Sequence, residues 1–328
     1  MKKTILRCLV LGCVMALICQ WAMAADRVIF ANSYKDADTS KISKYYQKPP
    51  ADALSKAEGD ELAKSIFTYT QKGSSFTLDE GESNDEILVY RNTNEQSGIC
   101  YIELATGKVF FNKGMDEYLT PGETLDLPND AEAPQIAHNH LRALNLFPSV
   151  GVVLHHVGGL GIAVHYENGT NSNYKKLVTV YEYRELDGLQ VVGSSRLVTE
   201  LGSGGEMVSL GRCWVDVSPV ASTPKDILPG TAIRDRINTQ LMEAYPDAKY
   251  IEVQNQQLVY YDDGKGIIEP AQVITGIVIP QGETESQPLD WIVSIMATPH
   301  ATYPYDITAP EPDDPPADPS GLPSGEDK

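Results

Sequence analysis

Five of the chain's six histidines fall between residues 138 and 165, at His138, His140, His155, His156 and His165. Imidazole is a common ligand of zinc, copper and nickel, so this crowding is the first chemistry to weigh. The stretch Gly158-Gly159-Leu160-Gly161 predicts a turn between two extended runs, VGVVLHH and GIAVHYE. Such a hairpin brings His165 beside His155, which makes those two the candidate metal ligands. In a regular strand His156 points to the opposite face. On a helix His138 and His140 stand about 200° apart and cannot chelate together. His140 falls on the apolar stripe and reads as a satisfied core residue. No carboxylate has the spacing of a known zinc motif, so the residues assign no metal and no cofactor.

Other chemistry finds less support. Gly193-Ser194-Ser195 lacks the G-x-S-x-G elbow of a serine nucleophile. Gly202-Ser203-Gly204-Gly205 lacks the Lys-Ser/Thr that completes a phosphate loop. No catalytic residue is assigned. Acidic pairs such as Asp262-Asp263 and Glu185/Asp187 are expected by chance in a chain with 45 Asp and Glu against 26 Lys and Arg. The resulting net charge of −19 repels phosphate backbones and anionic lipid, which argues against nucleic acid as a partner. Tyr181, Tyr183, Tyr260, Tyr261, Trp214 and Trp291 could form a peptide or carbohydrate platform, though strand preference and core filling account for aromatics at such positions.

The elements that would position these residues repeat one theme, a helix followed by strands. Residues 50–67 read as a helix, with Leu54, Ala57, Leu62 and Ile66 roughly on one face, and with Gly59 weakening it. Extended runs follow to Gly114. The theme returns with Ala133, Ile136, Ala137, His140, Leu141 and Leu144 at helical spacing, then strands to RCWVDV. It returns again with Ile233, Ile237 and Leu241, then YIEVQNQQLVYYDD, EPAQVITGIVIP and LDWIVSIMA. A helix with one apolar face and a sheet with one wet face bury each other, which predicts an α+β fold of tandem small modules, each a helix on an antiparallel sheet. The expected divisions are 25–125, 126–220 and 221–307.

The ends are expected to lie outside these modules. Residues 1–24 carry a basic start, an apolar run and Ala22-Met23-Ala24, which predicts a signal peptide cut before Ala25 and a secreted or periplasmic protein. Val10-Leu11-Gly12-Cys13 offers a competing lipoprotein signal, disfavoured by the short apolar run before it. No other stretch is apolar for long enough to span a bilayer. Residues 308–328 are mostly Pro, Asp, Gly and Ser and predict a disordered tail. The sequon Asn168-Gly169-Thr170 reads as a loop, because the export signal is of bacterial type. Cys100 and Cys213 remain after cleavage. In an oxidising compartment they could form a disulfide, or they could be two small buried thiols.

The stretch from Asp187 to Leu210 carries the one family likeness. Gly188, Val191 and Gly193, the alternation of Leu197, Thr199 and Leu201, and the Gly204-Gly205 turn before Met207 resemble the core of PepSY and fungalysin/thermolysin-propeptide (FTP) domains. Ile268-Glu269-Pro270-Ala271 and the Trp291 strand resemble a PepSY half more loosely. The resemblance implies cystatin-like units with a helix packed across an antiparallel sheet. Propeptides of that kind precede a peptidase with an HExxH motif, and this sequence contains none. What the resemblance then implies is a non-enzymatic inhibitory, chaperone-like or ligand-binding module. An accessible sheet edge near residues 188–200 could take a protein or peptide strand, with Gly188, Val191, Gly193, Arg196 and Glu200 as partner-binding candidates. Two alternatives remain open: an envelope hydrolase with a metal site near the histidine-rich hairpin, and a structural surface protein.

Overall fold

The computed structural model describes residues 27–302, apart from 41, 71–75, 94–97, 115–117, 119, 121–124, 166–168 and 170. The expected signal peptide, the expected tail, and Asn168 and Thr170 of the sequon therefore lie outside the described residues.

The order of elements is β1 (Val28–Phe30), β2 (Lys44–Gln47), α1 (Lys56–Thr70), β3 (Phe76–Leu78), β4 (Ile87–Asn92), β5 (Ile99–Glu103), β6 (Lys108–Asn112), α2 (Ala133–Ala143), β7 (Val152–Gly158), β8 (Gly161–His165), β9 (Asn171–Lys175), β10 (Val178–Leu186), β11 (Leu189–Gly193), β12 (Arg196–Leu201), β13 (Met207–Cys213), β14 (Ser218–Ala221), α3 (Gly230–Ala244), β15 (Ala248–Asp262), β16 (Ile267–Pro280) and β17 (Gln287–Ser294). The fold is α+β, dominated by antiparallel sheet with few helices.

Each helix is set by its cap and its buried stripe. α1 starts at Lys56 because Ser55 and Glu58 form a reciprocal capping box, later than the apolar spacing alone suggests. Its Gly59, Ala63, Ile66 and Phe67 are buried. A Cβ on Gly59 would stand 2.8 Å from Leu88 Cδ1, so the glycine lets the helix approach the sheet. α2 ends where Asn145 takes the left-handed conformation, letting Leu146 N–H bond Leu141 O. Its Ala133 and Ala137 meet Val178, Val180 and Leu201, and its Leu141 joins the α1 core with Leu197 and Leu210. α3 buries Ile233, Ile237 and Leu241 against Ile251, Ile274 and Trp291.

The first two helices share one face of one sheet, whose order is β3-β4-β5-β6-β13-β12-β10-β7. The strands before and after α2 thus pair with each other, through β6 and β13. The third helix covers a second sheet built on the long β15–β16 hairpin, with β17 beside β16. The N-terminal strands complete that second sheet: β1 runs parallel to β15, and β2 pairs with β16 and β14.

Of the two readings of Cys100 and Cys213, the disulfide is not formed. The reason is register. β5 and β13 flank β6 on opposite sides. Two strand spacings of about 4.8 Å put the cysteines beyond the ~7 Å that a disulfide can bridge. Burial pushes the Cys100 thiol well above its ordinary range, so it behaves as a small core residue.

Candidate functional site

The hairpin from Asp187 to Leu210 is the seam between the two sheets. β10 turns into β11 through Asp187 and Gly188, both with positive φ (53° and 76°), as a two-residue turn that matches strand twist requires. Glu185 then faces Gln190, and Tyr183 faces Arg196, so Val191 to Ser195 stand opposite Arg184 alone. That looped-out segment leaves β10 and runs parallel to β15, with Val191, Val192 and Gly193 opposite Tyr260, Tyr261 and Asp262. Ser195 Oγ donates to the Asp262 carboxylate, and Gly264 N–H donates to it as well (2.9 Å). Asp262 is deeply buried. Desolvation raises its pKa against the opposing pull of these bonds and of the Arg184 charge.

The turn itself is docked. The Asp187 carboxylate accepts from Lys44 Nζ (2.7 Å), Tyr46 Oη (2.8 Å) and Tyr260 Oη (3.0 Å). Desolvation pushes this carboxyl up, but the bonds from Lys44, Tyr46 and Tyr260 together outweigh it and hold the pKa below 3.8. A depressed folded pKa contributes stability above the unfolded value that is lost as pH falls through the folded one. Asp187→Asn is therefore expected to cost roughly 1 kcal/mol at neutral pH, discounted because the side chain is partly exposed. The deficit should shrink as pH falls below 3.8 and be gone only below the lower folded pKa, as read in urea titrations. A deficit independent of pH would place the effect in the turn conformation instead.

The edge expected near residues 188–200 is closed. β12 lies between β10 and β13, and β11 is held by β10 and β15. Of the five partner-binding candidates, Gly188 sits in the exposed turn, Val191 is buried among Tyr46, Tyr260 and Ile268, and Gly193 lies in the seam. Arg196 and Glu200 lie on β12, half-buried on the face away from the helices. The closing strand, β15, lies some sixty residues further along the chain, and no local pattern announces a parallel pairing of that kind.

Among the described residues, β7 pairs only with β10. Gly151 O accepts from Glu185 N–H (2.7 Å). Alternate residues of an antiparallel strand turn their main-chain groups to opposite sides, so Val152 and Leu154 present theirs to the open edge. Three of the five large exposed hydrophobic residues among the described residues gather here, Val150 (74%), Leu154 (46%) and Leu160 (42%); Ile29 and Tyr69 lie elsewhere. The face turned away from the helices continues the edge inward. One cross-strand row there joins Tyr101, Phe110, Gly211, Val198, Tyr181 and His156.

The histidines are placed differently from expectation. β7 does not pair with β8; β8 pairs with β9 in a separate ribbon, so His165 is not brought beside His155 by that hairpin. The register of β7 slips where Tyr181 faces His156 and Glu182 faces Leu154, leaving His155 as an extra residue in a bulge. The bulge puts His155 and His156 side by side, Nδ1 to Nδ1 2.7 Å. His138 Nε2 contacts Oε1 of the buried Glu182 at 2.5 Å. His140 Nε2 donates to Gly205 O (2.7 Å), so its Nδ1 accepts from Tyr69 Oη (2.9 Å). These bonds close one side of an open groove of about 750 Å³ beside α1, whose lining includes Glu61, Lys64 and Glu206. Among the described residues, no three His, Cys, Asp or Glu side chains converge to hold a metal ion between them.

No family model matches the chain, and no curated protein matches it. Among the solved structures similar in backbone are two from bacteria. An uncharacterized protein from Eubacterium rectale aligns at TM-score 0.47 and 13% identity, covering 86% of this chain and 91% of its own. The YpeB C-terminal domain of Bacillus megaterium aligns at TM-score 0.28 and 9% identity, covering 72% of this chain and 92% of its own. Both likenesses are too distant to bear on function. Among the described residues no helix is long and apolar enough to cross a membrane.

Proposed function

We propose that this is an exported, non-enzymatic protein that binds an extended segment of a protein or peptide along the β7 edge. The observation that carries the reading is the coincidence of unpaired main-chain groups on β7 with exposed Val150, Leu154 and Leu160. An added strand would gain main-chain hydrogen bonds from the edge and side-chain specificity from the pockets beside it. Its alternate side chains would reach Leu154 on one face and the Tyr181–His156 end of the aromatic row on the other. The resemblance of Gly188, Val191 and Gly193 to PepSY and FTP cores supports an inhibitory or chaperone-like use of such binding. His155 and His165 lie on strands that do not pair, so the β7–β8 hairpin lends the hydrolase alternative no support.

The test starts by panning the purified protein against a library of random peptides. Backbone amide shifts with a selected peptide are expected to map to residues 151–158. N-methylation of alternate peptide amides should weaken binding at least about tenfold, the equivalent of ~1.4 kcal/mol. Leu154→Pro, which removes one outward N–H, should do the same, since proline is tolerated at a solvent-facing edge. Shifts confined to another surface, or affinity indifferent to both changes, would leave the bulged edge as a device that discourages pairing.

A further inference from the structure

The bulge in β7 does something that a regular strand cannot. Consecutive strand residues point to opposite faces, so neighbouring histidines are normally unable to share a ligand. Here the extra residue turns both imidazoles to one side, with ring centroids 4.8 Å apart and planes at 72°. Each ring is braced by a tyrosine of β10: His156 stacks on Tyr181 (4.3 Å, 15°), and His155 meets Tyr183 edge-on (5.9 Å). Both histidines are exposed, so nothing but solvent would have to be displaced from the pair.

We infer that His155 and His156 form a two-nitrogen site for a divalent transition-metal ion, with copper(II) the preferred occupant. The intrinsic order of affinities sets the preference, and the separation of the two Nδ1 atoms, 2.7 Å, is compatible with it. At a metal–nitrogen distance of about 2.0–2.1 Å it subtends about 80–85° at the ion. That is close to the right angle between adjacent positions of a tetragonal or square-planar ion and well short of the tetrahedral angle. The geometry therefore suits Cu(II) and, less strongly, Ni(II) over Zn(II), in the same direction as the intrinsic order of affinities. In the metal-free pair one ring nitrogen donates its hydrogen to the other. The ion takes the place of that hydrogen: the donor ring gives its Nδ1 proton to water and takes one back at Nε2, so both rings stay neutral with Nδ1 free to bind, and water fills the other equatorial positions. The net charge of the whole chain, −19, favours cations over anions in general. The pair lies on the strand proposed to bind a peptide, but the inference does not rest on that reading and its test needs no peptide.

The test is a Cu(II) titration of the purified protein followed by electron paramagnetic resonance, with affinity measured against glycine as a competing chelator. One ion per chain with two equatorial nitrogens is expected. His155→Ala and His156→Ala should each weaken binding at least tenfold, and so should the closer replacements His155→Gln and His156→Gln. His165→Ala, on the separate ribbon, should leave affinity unchanged. Zn(II) should bind at least tenfold more weakly than Cu(II). Copper binding that survives the double His155/His156 replacement would overturn the inference. So would dependence on His165, or equal affinity for the two metals.

Discussion

Gly193→Ala is expected to destabilise the protein by roughly 3–5 kcal/mol or to prevent folding, the range reserved for substitutions that break a specific structural device. Gly193 has φ of 96°, and a Cβ built there would lie 2.2 Å from the carbonyl oxygen of Asp262. That oxygen belongs to the main chain of β15, so no rotamer change can relieve the overlap. Either β11 separates from β15 or the β15–β16 turn shifts, and each exposes part of the Tyr46–Val191–Tyr260–Ile268 cluster. Gly188→Ala is the matched control. Its φ is also positive (76°), but nothing lies within 4 Å of its Cβ position. It should therefore cost only the conformational strain of about 1–2 kcal/mol. Urea unfolding of the two variants separates close approach from backbone strain. Equal losses in both would mean that the two sheets are not locked at Gly193.

The helices were legible in the sequence because local spacing sets them. Leu141 and the Ile233, Ile237, Leu241 series occupy the buried faces that their periodicity indicates. Asp187-Gly188 has the residue types that a turn with positive φ at both positions favours, so local chemistry explains that turn as well. Pairing over long distances was not. Gly158 to Gly161 looks like a hairpin turn, but β7 pairs with β10 and leaves β8 to β9. A bulge carries no signature when the inserted residue is one histidine beside another, so the one arrangement that joins two imidazoles was hidden. Cys100 and Cys213 share a sheet, but register, which composition cannot supply, keeps them apart. The seam residues Asp262 and Arg184 are polar where a buried strand would be expected to present an apolar side chain, and Ser195 lies in the link between β11 and β12, so no sequence pattern marks them.

Arg184 is expected to be the most sensitive of those polar seam residues. It is 2% exposed, stacks over Trp214 (4.2 Å) and donates from Nη2 to Val215 O (2.7 Å). Its Nη1 has no hydrogen-bond partner among the described residues. Burial pulls its pKa down from 12.5 to about 10, against the fields of Asp262 and Asp216. Arg184→Ala removes the stacked surface and leaves the buried Asp262 without that opposing charge, for an expected loss of roughly 3–5 kcal/mol at pH 7. Arg184→Met keeps most of the volume and should lose less than half as much. Adding Asp262→Asn to Arg184→Ala should recover part of the loss, because no uncompensated charge then remains. The pH dependence carries the sign. A carboxyl with a raised folded pKa contributes stability that is complete below its unfolded value, 3.8 here, and lost as pH rises through the folded one. Removing Arg184 raises the folded pKa of Asp262 further. The deficit of Arg184→Ala against the parent should therefore shrink as the solution is acidified from pH 7 towards that unfolded value. Urea unfolding at a series of pH values reads this directly. A deficit that stays constant with pH, with no recovery from Asp262→Asn, would mean that Arg184 acts through its packing on Trp214 alone and that the two residues are energetically independent.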